Sequence, residues 1–133
     1  MGVRVRYVIL ALLGSVGGAR VVRAQAAADT LPVDLTPAAI AAGKQLFLGE
    51  GLCWACHGAD AKGSIGPNLT DQTWLHGTGS FAEIVARVLA GVSSEQSKLG
   101  QIMPPRGGSG ITDEQVRAVA GYVWSLSHPP TGK

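Results

Sequence analysis

The chain has 133 residues, 46% of them hydrophobic and 15% charged, with 11 Lys and Arg against nine Asp and Glu for a net charge of +2. That length suits one domain, and so even a balance excludes the basic surface that nucleic-acid binding needs.

The start is read as a secretory signal, residues 1–24, and not as part of the fold. Arg4 and Arg6 form a basic beginning, Val8 to Gly18 is apolar, and Ala24-Gln25-Ala26 or Val22-Arg23-Ala24 offers a small-x-small cut. The apolar run is shorter than the ~20 residues that span a bilayer, so an uncleaved anchor is the lesser reading. Four arginines lie before Gln25 and all nine acids after it, so removal of the segment leaves a net charge of −2. Residues 25–35 are Ala-rich and read as a flexible lead-in.

The first helix is expected at Thr36, an N-cap followed by Pro37, whose missing N–H costs nothing at the first helical position. Ile40, Gly43 and Phe47 share one face. A glycine at position 43 fits either close approach by another helix or simple tolerance. Gly49 and Gly51 end the helix.

Cys53-Trp54-Ala55-Cys56-His57 follows. This is the spacing of covalent haem attachment. Each thiol adds to one vinyl group of the porphyrin, and His57 then supplies an imidazole to the iron. The rivals are weaker. A disulfide here would close too small a loop to constrain much. A thiol-redox centre sits beside a βαβ pattern, which the sequence lacks. Zinc needs two further ligands at matching spacing, and only His76 and His128 remain.

Residues 58–79 read as a glycine-rich loop. A middle helix is capped by Ser80, with Glu83 completing a capping box. Its apolar face is Ile84, Val85, Val88 and Leu89, and Gly91 stops it. A polar loop, Ser93 to Gly110, holds Met103-Pro104-Pro105. The last helix starts with Thr112 and Gln115, again a capping box. It turns Val116, Val119, Ala120, Val123 and Leu126 inward and stops before Pro129-Pro130. The expected domain is therefore 36–128, all-α, with a tail at 129–133. So small a core gains from a staple, and a covalent haem c at its centre serves as one.

Met103 is the only methionine besides the start residue. Its proline-stiffened loop makes it the candidate sixth ligand of the iron. His76 and His128 are the competitors, and the alternative for both is a surface or capping role. Methionine opposite histidine raises the reduction potential and fills the position that oxygen or peroxide would need. That favours an electron carrier over the rival, an open-site haem sensor or haem enzyme.

With these residues in place the chain resembles a class I c-type cytochrome, and in particular the haem domain of the third subunit of cbb3-type cytochrome oxidases and its free-standing relatives. The resemblance rests on Gly43 to Phe47, Cys53 to Gly58, Gly66 to Asp71 with Trp74 to Gly77, Met103 to Pro105, and Tyr122 to Leu126. It implies a small cytochrome c fold of three to five helices, with the first and last crossing near Gly43 and Phe47 and Tyr122 filling the gap. It implies that Pro67 offers its carbonyl to the His57 ring N–H and that Trp74 lines the pocket near the haem propionates. It implies export to the periplasm, where haem is attached. The expected partners are redox proteins, a terminal oxidase or a dehydrogenase, with membrane contact only through them or through an uncleaved signal. Oxidase third subunits usually carry an anchor and two haem domains in one chain; this sequence has one motif and a signal-like start, which favours a free-standing carrier or a small partner of another complex. No bond-making chemistry is expected of the chain itself.

Overall fold

The computed structural model describes residues 35–129. The expected signal 1–24, the lead-in up to residue 34 and the tail from residue 130 lie outside them. Four α-helices follow in order: α1 Pro37–Leu48, α2 Trp54–His57, α3 Phe81–Ala90 and α4 Asp113–Ser127. A 3-10 turn, Pro105–Gly108, precedes α4. Among the described residues the only strand-like pairing is one isolated antiparallel bridge, Val92 with Met103. The fold is all-α, as expected. The addition is α2, a single turn built from the Cys-x-x-Cys-His segment itself.

Helix starts follow local chemistry. The Thr36 side chain accepts from the Ala39 N–H, with Pro37 in the first turn. Ser80 with Glu83, and Thr112 with Gln115, form complete capping boxes. These satisfy N–H groups that the helix leaves without partners. α4 ends at Ser127, and the His128 Nδ1–H reaches back to the Trp124 carbonyl at 3.0 Å. His128 is thus a capping residue, its ring stacked on Trp124 at 4.4 Å.

α1 and α4 cross at Gly43. A Cβ built there would lie 1.9 Å from the Ala118 carbonyl oxygen and 3.0 Å from Tyr122 Cβ. Close approach, and not tolerance, is therefore why glycine occupies the position. One turn on, the Phe47 and Tyr122 rings meet edge to face at 5.4 Å. Phe47, Val116 and Val119 are fully buried. Ile84 and Val88 of α3 join them, and Arg117 of α4 lies over the Phe81 ring at 5.3 Å. Three helices thereby form a frame, with α2 and two long loops closing one side.

Candidate haem-binding cleft

On that side lies a cleft with about 1300 Å³ of atom-free space, its open mouth included. Cys53, Cys56, His57, Pro67, Trp74 and Met103 all line it. These six residues are therefore brought to one cleft, although 50 positions separate the ends of the set. The inner wall is apolar, from Phe47, Leu69, Ile84, Val88, Val119 and Val123. His76 shares the cleft, whereas His128 does not line it.

His57 ends α2 and is 8% exposed. Its Nδ1 lies 2.9 Å from the Pro67 carbonyl oxygen. A carbonyl only accepts, so Nδ1 carries the proton and donates. Burial holds the imidazole pKa below its ordinary value, which keeps the ring neutral and leaves the lone pair on Nε2. The loop that brings Pro67 here is tied to α2 by the Gly63 N–H on the His57 carbonyl and the Gly66 N–H on the Cys56 carbonyl, both at 2.8 Å. Gly66 is needed for that approach: a Cβ would stand 3.0 Å from His57 Cε1.

The two thiols are unbridged and half-buried. The Cys53 thiol donates to the Gly51 carbonyl at 3.4 Å, and burial raises its pKa to about 11. A thiol-redox centre works through a thiolate of lowered pKa, so this environment is the wrong one for that chemistry. Nor do three His, Cys, Asp or Glu side chains assemble as a metal site among the described residues.

Met103 reaches the cleft from the other loop. Its N–H bonds the Val92 carbonyl at 3.0 Å, and the Val92 N–H returns the bond at 2.8 Å. Gly91, with φ +71°, makes room, because a Cβ there would fall 2.3 Å from the Met103 oxygen. This bridge gives residues 93–102 their path, which the sequence left undefined. Trp74 packs on Gly79, where a Cβ would collide with its indole at 2.1 Å.

Arg106 is a residue that sequence reasoning missed. It has φ +54°, donates to the Ile111 carbonyl at 2.8 Å and pairs with Asp113, while Ser109 Oγ donates to the Arg106 carbonyl at 2.7 Å. It thereby ties the segment after Met103-Pro104-Pro105 to the start of α4. Two Gly following an Arg is the only sequence hint of so tight a turn.

The donor set suits a covalently attached haem. Two thiols one helical turn apart, a neutral imidazole with its Nε2 lone pair preserved, and a thioether all face one apolar cleft.

The comparisons with known proteins agree. The family model described as Cytochrome c matches residues 40–127. The cbb3-type cytochrome c oxidase subunit CcoP of Rubrivivax gelatinosus is 45% identical over 95 residues, covering 71% of this chain and 28% of the relative. CcoP of Rhodobacter capsulatus is 40% identical over 91 residues, 64% of this chain and 28% of the relative. The corresponding subunit FixP of Sinorhizobium medicae is 38% identical over 96 residues, 70% of this chain and 32% of that one. The chain thus spans under a third of the length of these curated relatives. Among solved structures, cytochrome cL of Methylophaga aminisulfidivorans superposes with a TM-score of 0.55 at 22% identity, covering 86% of this chain and 71% of that one, which speaks to the fold alone.

Proposed function

The chain belongs to the cytochrome c family, and on that premise we propose that it is a monohaem electron carrier, accepting and donating one electron at a time. Cys53 and Cys56 would hold the haem c through thioether bonds, and His57 and Met103 would ligate its iron. Bound there, haem supplies a one-electron iron couple whose potential the ligands tune.

The remaining work is done by the chain. The Pro67 carbonyl fixes the His57 tautomer and aims Nε2 into the cleft. Phe47, Val88 and Val119 exclude water from its inner wall, which favours the less charged, reduced state of a buried centre. The Val92 bridge fixes the Met103 backbone at the cleft, and its thioether would serve as the second iron ligand. The observation that carries the reading is the convergence of Cys53, Cys56, His57 and Met103 on one apolar cleft.

The relatives that match most of the chain are named as subunits of a cbb3-type cytochrome c oxidase. A terminal oxidase or a dehydrogenase is accordingly the partner class we propose, and the periplasm the compartment, with residues 1–24 as its export signal. No described helix is long and apolar enough to cross a membrane.

Intact mass of the protein, produced in a host able to attach haem, tests the attachment. One haem should be added, and Cys53→Ala with Cys56→Ala should abolish it. A bare polypeptide mass for the unmutated chain rejects the reading.

A further inference from the structure

Besides its apolar wall the cleft is lined by polar side chains, and three of these are basic. Arg87 of α3, Lys98 of the 93–102 loop and His76 of the preceding loop all line it. They come from three separate segments, so no single helix face explains their meeting. Arg87 is held in place by an Nη1 donation to the Gly91 carbonyl at 3.3 Å. Lys98 is exposed and His76 half-buried. Among the described residues, the ion pairs are Lys62 with Asp60 and Arg106 with Asp113. Among the described residues neither Arg87 nor Lys98 has a carboxylate within ion-pair distance.

One acid, Glu83, also lines the cleft. It stays ionised, four residues before Arg87 on α3, but it forms no ion pair with Arg87 or Lys98 among the described residues; one of its carboxylate oxygens instead accepts from the N–H and hydroxyl of both Thr78 and Ser80, at 2.7 to 3.1 Å. The like charges of Arg87 and Lys98 are felt at His76. Together with burial, the largest cause, they push its pKa down. Two cations with no carboxylate at ion-pair distance among the described residues, beside an imidazole and on the edge of an apolar cleft, call for anionic groups from the occupant.

We propose that Arg87 and Lys98, with His76 beside them, are the seat of the haem's two carboxylates. This rests on the haem reading above. It assigns to these residues the electrostatic part that the sequence resemblance gave to the surroundings of Trp74. Arginine suits the role because its planar fork can bond a carboxylate at two points, whereas lysine acts as a point charge. Once paired, the carboxylates are held ionised and their negative charge is offset. That offset disfavours the oxidised iron and raises the reduction potential. Arg87, Lys98 and His76 are positioning residues here and touch no reacting atom of a substrate.

The test uses holo-protein carrying haem labelled with ¹³C at the propionate carboxyls. In the unmutated protein the labels should titrate well below the ordinary carboxylate range. In Arg87→Gln and Lys98→Gln their pKa should rise and the reduction potential should fall. Arg87→Lys should restore most of both. Lys62→Gln, which removes an exposed lysine that does not line the cleft, should change neither. Should Arg87→Gln fail to fold, Lys98→Gln, a change on an exposed loop side chain, still decides. Labels that ignore both variants on a haem-loaded chain overturn this proposal alone. A chain that carries no haem overturns the haem reading and the proposal together.

Discussion

The two loops that bring candidate iron ligands to the cleft are built differently. On the histidine side, residues 57–69 are meshed. Gly63 N–H bonds His57, Gly66 N–H bonds Cys56 and Leu69 N–H bonds Ala61, all at 2.8 Å, while the His57 ring bonds Pro67. Ala61 is fully buried at φ +59°, a strained setting that surrounding structure must enforce. On the methionine side, the 93–102 loop bonds within itself, Ser97 N–H to the Ser93 carbonyl at 3.0 Å and Ser97 Oγ to the Gln101 carbonyl at 2.7 Å, and a two-bond bridge at Val92 and Met103 closes its base. Beyond it Leu99 is 52% and Ile102 63% exposed. Regions with few buried contacts open at lower free energy. The histidine is thus placed by a network and the methionine by a hinge, and ligation should fail first at Met103.

Gly91→Ala should break that contrast most strongly. The new Cβ meets backbone at 2.3 Å and φ is +71°, so the Met103 bridge must shift, at a cost of about 1–3 kcal/mol. The expected holo-protein keeps its helix and haem yet loses the near-infrared sulfur-to-iron band of the oxidised state. Retention of the band at full strength would show that the bridge does not position the ligand.

Gly66→Ala strikes the meshed side. Its Cβ sits 3.0 Å from the His57 ring, so the ring must move by a few tenths of an ångström against its Pro67 bond. A loss of about 1 kcal/mol is expected, read by denaturant unfolding, with Met103 ligation intact. Loss of the methionine band before any loss of stability would reverse the assignment of the two sides.

Arg106→Ala removes the tie from the Met103 segment to α4 at Ile111 and Asp113. Its side chain is about a third exposed, so the expected cost is nearer 1 kcal/mol than the full value of a charged hydrogen bond. Chemical denaturation of holo-protein measures it. An unchanged midpoint would mean the turn holds without the guanidinium.

The smallest effect concerns pH and the start of α3. Four hydrogen bonds hold the Glu83 pKa down from 4.5 to about 2. A carboxylate with a depressed folded pKa contributes stability above its ordinary value and loses it as pH falls. The unmutated protein should therefore lose stability between about pH 4.5 and 2 more steeply than Glu83→Gln. Parallel curves would contradict this.

Local chemistry was legible in the sequence. Thr36, Ser80 and Thr112 cap the helices that were expected from them, because a cap needs only its own next three residues. The Cys53–His57 spacing carried the cofactor for the same reason. The Phe47–Tyr122 contact and the His57–Pro67 bond came from the family resemblance, since nothing local pairs residues ten or 75 apart. Gly43 was ambiguous until Ala118 stood against it. The Val92–Met103 bridge and the Arg106 tie were not legible. Backbone pairing across a loop leaves no periodicity, and a left-handed arginine is an unfavourable choice that only tertiary contacts stabilise. The basic sector of the cleft was hidden likewise, its three residues lying on three segments.

The central claim is that Met103 closes the sixth position of an electron carrier. Carbon monoxide added to the reduced, unmutated holo-protein at neutral pH tests it directly. No spectral change is predicted for the unmutated protein, and ready binding for Met103→Ala, while His76→Ala behaves like the parent. Ready binding by the unmutated protein would contradict the carrier reading and favour an open-site haem sensor or enzyme.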